Sequence, residues 1–104
     1  MIDDDLADWP FDQTPNTAAL TVRSILEGAP ILHVSHDADD EGWQFLDGRP
    51  VQEEDGRVIG MGTALQLDPS LRSIADLPVG WIAWRKNPSD PWVREPHPDA
   101  ATVE

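Results

Sequence analysis

Cysteine is absent from the 104 residues, so a disulfide framework and a thiolate zinc site are both excluded and a reducing compartment is permitted. Basic residues are scarce: seven Lys/Arg stand against twenty Asp/Glu, giving a formal charge of −13. The deficit is uneven. Residues 1–55 hold fourteen acids against Arg23 and Arg49, a net −12, whereas residues 56–104 hold six acids against five Lys/Arg, a net −1. A surface this negative repels a phosphate backbone, which argues against nucleic acid as a partner. It would steer a basic protein inward, although acids of this kind also serve solubility alone. No stretch approaches the roughly 20 apolar residues of a membrane helix. The opening MIDDDLADWPFDQ has neither the basic start nor the apolar run of a secretion signal. The expectation is a cytoplasmic protein with no membrane partner.

Signatures of catalysis are missing too. There is no Gly-x-Ser-x-Gly string and no triad pattern. Ser35 lies between His33 and His36, but neighbours on a strand face away from each other. Gly60-Met61-Gly62 lacks the third glycine and the strand-to-helix length of a dinucleotide loop. No catalytic residue and no cofactor is assigned.

What is present is organised around Ile31 to Gly48. An apolar run (Ile31, Leu32, Val34) leads through two histidines into the acidic string Asp37, Asp39, Asp40, Glu41, and returns through Gly42 into Trp43, Phe45 and Leu46. This is the pattern of a β-hairpin. Alternation puts Leu32, Val34 and His36 on one face of the first strand and Ile31, His33 and Ser35 on the other. Both faces carry apolar residues, which predicts an inner hairpin covered by a helix. The acidic tip spaces its acids as calcium loops do, with glycine at the sixth position. Its twelfth position is Gly48 where such loops carry a bidentate glutamate, and its flanks read as strands, so no metal is assigned there. His33 and His36, three apart on a strand, fall on opposite faces and make no zinc site.

Around this hairpin the rest of the chain falls into place. Residues 1–16 mix five aspartates with Trp9, Pro10 and Phe11 and read as an acidic, largely disordered tail, with the aromatic cluster expected to dock on the domain. Residues 17–27 read as an amphipathic helix: a capping position, then Ala18, Ala19, Val22, Ile25 and Leu26, stopped by Gly28 and Pro30. Arg57 to Met61 reads as a short strand, possible as a sheet edge because Gly60 and Gly62 weaken it. A helical turn over residues 63–67 and a second helix capped by Asp68 and started by Pro69 follow. Residues 81–86 and 91–95 form a C-terminal hairpin, and residues 96–104 fray. Trp81 and Trp84 lie on opposite strand faces, so one of them stands near the surface. Trp81 with Arg85 is a candidate hot spot for a partner.

Val34-Ser35, Gly42-Trp43-Gln44-Phe45 with Asp47-Gly48, and the segment from Asp68-Pro69 to Gly80 resemble a group of small uncharacterised bacterial proteins and, more loosely, the immunity-protein-33-type domain of polymorphic toxin systems. The resemblance spans residues 19–95. Leu46 stands where that domain tends to have a second aromatic, and Arg49-Pro50 interrupts its acidic run. The resemblance implies a stoichiometric inhibitor with no catalytic residues.

The expected architecture is a single α+β domain over residues 17–95. An antiparallel sheet of about five short strands packs with an N-terminal helix and one or two short central helices. The expected core is Val22, Ile25, Leu26, Leu32, Val34, Trp43, Phe45, Val58, Leu71, Ile74, Leu77, Ile82 and Trp84. The expected function is a small acidic protein-binding module whose partner surface comprises Asp37, Asp39, Asp40, Glu41, Trp81 and Arg85. The rival from another class is a small hydrolase or metal-dependent enzyme with a site the sequence does not reveal. The oligomeric state is left open.

Overall fold

In the computed structural model, which describes residues 9–97, the Ile31–Gly48 stretch folds as its alternation requires. Strand β2 (His33–His36) pairs antiparallel with β3 (Trp43–Leu46), with His33 opposite Leu46 and His36 opposite Trp43. The C-terminal hairpin also forms. Its strands β5 (Trp81–Trp84) and β6 (Val93–Pro96) pair antiparallel, and β5 lies along the free side of β2.

The N-terminal segment does not follow expectation. Residues expected to begin a helix form strand β1 (Ala18–Val22), and the helix shrinks to one turn, α1 (Arg23–Leu26), before Gly28 at φ +115°. An isolated eleven-residue helix gains little in water. As a strand, the same backbone finds ladder partners on both sides. It runs parallel to β3, with Thr21 beside Phe45, and antiparallel to β4 (Gly56–Gly60). The Thr21 hydroxyl donates to the Phe45 carbonyl at 2.7 Å and pins that register. Thr21 and Val22 are β-branched and suit the pleat.

The result is one six-stranded mixed sheet in the order β4-β1-β3-β2-β5-β6, which corrects the expected all-antiparallel sheet of about five strands. The α+β class and the single domain stand. A 3₁₀ turn (Glu53–Asp55) leads into β4, helix α2 (Met61–Leu67) follows it, and a second 3₁₀ segment (Pro69–Ile74) precedes β5. The Asp68 carboxylate caps that segment, accepting from the Ser70 amide at 3.0 Å, with Pro69 just inside the start.

The core gathers Ala19, Val34, Trp43, Phe45 and Ala83 from the sheet with Met61 and Ala64 of α2, Leu71 and Ile74 of the 3₁₀ segment, and Leu77. Four expected core residues are not buried. Leu26 and Val58 are exposed, whereas Leu32 and Trp84 are half-buried. Val58 sits on the outermost strand, and α1 is too short to turn Leu26 inward. Phe11 is buried and packs edge-on against Trp43 at 5.1 Å, while Trp43 donates to the Gln13 side chain at 3.0 Å. The aromatic cluster therefore docks on the turn end of the β2–β3 hairpin, at Trp43. Residues 1–8 of the expected N-terminal tail and 98–104 of the C-terminal one lie outside the described residues.

Candidate functional site

The tip of the β2–β3 hairpin is built by local hydrogen bonds. The Asp37 amide donates to the Gly42 carbonyl at 2.8 Å and closes the loop. Asp40 accepts from the Gly42 amide at 2.9 Å, a side-chain-to-backbone bond two residues long that shapes the return. Between them Glu41 adopts φ +61°, the left-handed region. A residue with a Cβ gives up roughly 1–2 kcal/mol there.

The four expected acids therefore divide. The Asp37 carboxylate is half-buried and occupied, with the Ser35 hydroxyl donating to one oxygen and the Gln44 amide donating to the other at 2.7 Å. It ties the turn end of the two strands together and is withdrawn from any partner surface. Asp40 has one oxygen engaged. Asp39 and Glu41 are exposed, and no hydrogen bond or ion pair with another described residue engages their carboxylates.

The expected hot spot of Trp81 with Arg85 is not assembled. Arg85 is only 6% exposed and every nitrogen of its guanidinium is engaged. Nε and Nη2 donate to the Ile31 carbonyl at 3.2 and 3.0 Å, Nη2 also reaches the Asp68 carboxylate, and Nη1 donates to Ser70 Oγ at 3.1 Å and the Pro88 carbonyl at 3.0 Å. The ring it meets is Trp92, 4.2 Å below the guanidinium carbon, while Trp81 is half-buried against the core. Arg85 is an internal clamp joining the start of β2, the 3₁₀ segment and the loop before β6. The capping pattern at Asp68 was visible in the sequence. Its second partner, seventeen residues on, left no local signal.

A second polar cluster escaped the sequence reading. The Ser24 hydroxyl donates to Asp47 at 2.6 Å, and Arg49 donates to the same carboxylate through Nε at 3.1 Å and Nη2 at 2.7 Å. Burial pushes the Asp47 carboxyl up, but the Ser24 hydroxyl and the Arg49 side chain and amide outweigh it and hold the group down at about 2. This cluster lines an open groove of about 490 Å³ with Arg23, Glu27, Gln52 and Asp55. Arg23 pairs with Asp55 at 3.2 Å across it. The two cations of residues 1–55 are both held in this groove by acids of the same chain.

The histidines stand apart from these sites. His36 is buried, stacked on Trp43 at 4.1 Å, and donates from Nδ1 to the Leu77 carbonyl at 2.7 Å. His33 is half-buried with its pKa lowered, chiefly by burial and secondarily by His97. Neither lines the grooves beside Asp47, Asp68 or Trp92. Among the described residues no group of three or more His, Asp or Glu side chains is placed to hold a metal ion. Among the same residues no helix is long and apolar enough to cross a membrane. No protein-family model, no curated protein and no solved structure matches the chain.

Proposed function

We propose that this chain is a small, non-enzymatic protein-binding module of bacterial type, working in the cytoplasm as an immunity-type inhibitor of a basic protein partner. The observation that carries the reading is Glu41. It holds a strained left-handed conformation that glycine or asparagine would adopt at lower cost, and it does so beside an exposed Asp39 on a turn tied down by Asp40. Strained backbone clusters at binding and active sites, and that tendency supports the reading. The displayed carboxylates repel each other in isolation, and a cation-rich surface would relieve that repulsion.

Affinity capture from the source organism, followed by stopped-flow association at several salt concentrations, tests the proposal. The pair of substitutions Asp39→Asn and Glu41→Gln should leave the fold intact, slow association and flatten its salt dependence, because rim charges act mainly on the on-rate. An association rate and salt slope equal to those of the native chain would refute it. So would a loss of stability above about 1 kcal/mol, which would make these acids structural parts.

A further inference from the structure

The two edges of the sheet are built differently. β6 is protected in the usual ways, by charged residues Arg94 and Glu95 and by Pro96. β4, with the sequence Gly-Arg-Val-Ile-Gly, has no proline, and its one charged side chain folds back to the start of the strand, donating from Nη1 to the Gly56 and Glu54 carbonyls at 2.8 and 3.1 Å and guarding only that end of the edge.

The ladder shows which backbone groups the open edge offers. The Met61 amide donates to the Thr17 carbonyl at 2.9 Å, one step beyond the Gly60–Ala18 pair. Hydrogen-bonded and non-hydrogen-bonded pairs alternate in an antiparallel ladder. Ile59 and Arg57 therefore bond to β1, and the backbone groups of Gly56, Val58 and Gly60 point the other way. Gly56 is already committed, its N–H to the Glu53 carbonyl and its C=O to Arg57. What remains is the N–H and C=O of Val58, with the N–H of Gly60 beyond it, on a side where the described residues place no further strand. The Val58 side chain is 67% exposed and stands directly opposite Leu20, 48% exposed, so an apolar ridge runs out to this edge. Glu53 and Glu54 lie exposed just before the strand, in no ion pair with another described residue.

We propose that the free edge of β4 is a strand-addition site for an extended basic segment of a partner protein. The inference rests on the binding reading above and names a surface that reading does not use. Outward backbone groups two residues apart demand an extended chain. The Val58–Leu20 ridge takes an apolar side chain beside it, and Glu53 and Glu54 take a Lys or Arg at the end that lies by Gly56. A second copy of this chain fits poorly, because each copy carries −13.

The test titrates the isotope-labelled full chain with a synthetic Lys-Thr-Val-Thr-Val-Lys peptide, with Glu-Thr-Val-Thr-Val-Glu and Lys-Gly-Ser-Gly-Ser-Lys as controls. Saturable amide shifts centred on Val58 and Gly60, from the first peptide alone, are expected. Val58→Pro removes an outward N–H without touching the bonds to β1, and should weaken binding about tenfold or more. Because proline also restricts the backbone, Val58→Lys serves as a second variant, keeping every backbone bond while repelling the peptide, and should weaken it similarly. No shift on β4 at millimolar peptide overturns the proposal, as does an equal response to the glycine-serine peptide. Self-association through β4 without peptide overturns it in favour of a second copy. Shifts confined to Asp39, Asp40 and Glu41 overturn the edge site while leaving the acidic-tip reading standing.

Discussion

Replacing Arg85 by lysine separates an internal clamp from a docking residue. The guanidinium side chain is 3% exposed and its Asp68 partner 17% exposed, so neither group is fully rehydrated when the other changes. Lysine keeps the charge but offers a single ammonium, which cannot span the Ile31 carbonyl, Asp68, Ser70 and the Pro88 carbonyl together. At least two hydrogen bonds go, at about 1 kcal/mol each. Stacking on Trp92, worth about 0.5–2 kcal/mol, goes with them. Arg85→Lys should therefore cost about 2–4 kcal/mol. Arg85→Met, which strands Asp68 and the Ile31 carbonyl, should cost about 3–5 kcal/mol. Against a typical domain stability of about 5–15 kcal/mol, both are large fractions. Urea unfolding followed by tryptophan fluorescence reads them as a lower midpoint at constant slope. A loss under about 1 kcal/mol for both variants would refute the clamp and return Arg85 to the partner surface.

Two further substitutions follow from the same reasoning. Glu41→Gly releases the left-handed strain and should leave the fold unchanged to about 1 kcal/mol more stable, since the greater freedom of glycine in the unfolded chain offsets part of the relief. Destabilisation by more than about 0.5 kcal/mol in thermal unfolding would mean the Glu41 side chain carries a contact. The Asp47 carboxyl is depressed from 3.8 to about 2, so its contribution is complete above about pH 5 and disappears as pH falls through 2. The native chain should accordingly exceed Asp47→Asn in stability by at most about 2 kcal/mol more at pH 6 than at pH 2. A pH-independent difference between the two would contradict the depressed carboxyl.

Five of the six strands were legible: alternation from Leu32 to Phe45 and from Trp81 to Trp84 marks β2, β3 and β5, and the short runs at Arg57–Met61 and 91–95 mark β4 and β6. The cap at Asp68, Pro69 and Ser70 was legible because its bonds span two residues. β1 was not. Ala18, Ala19, Val22 and Ile25 satisfy a helical period, and the partners that override it lie at Phe45 and Ile59. Val58 misled as a core residue because alternation says which residues share a face and nothing about whether the strand ends up inside or at the edge. At the candidate site, the acids of the hairpin were visible in the sequence. That Asp37 would turn to Ser35 and Gln44 while Asp39 and Glu41 stayed free depended on the turn geometry. Arg85 draws its partners from residues 31, 68, 70, 88 and 92, a spread that no spacing rule reports.

The interior position of β1 sets an order on how the protein can be made. Of the described strands β1 is synthesised first, yet its parallel partner lies 24 residues downstream at the Thr21–Phe45 contact, and its antiparallel partner begins only at Gly56. The β2–β3 hairpin needs only its own six-residue turn, residues 37–42, to close and is the faster unit. During vectorial synthesis the nascent β1 waits with both edges open, accepts β3 on one side once the hairpin exists, and is sealed on the other only when residue 60 has left the ribosome. A chain arrested between those two events would carry its vulnerable edge on β1, so chaperone dependence should peak for ribosome-bound fragments ending between the exposure of Leu46 and that of Gly60.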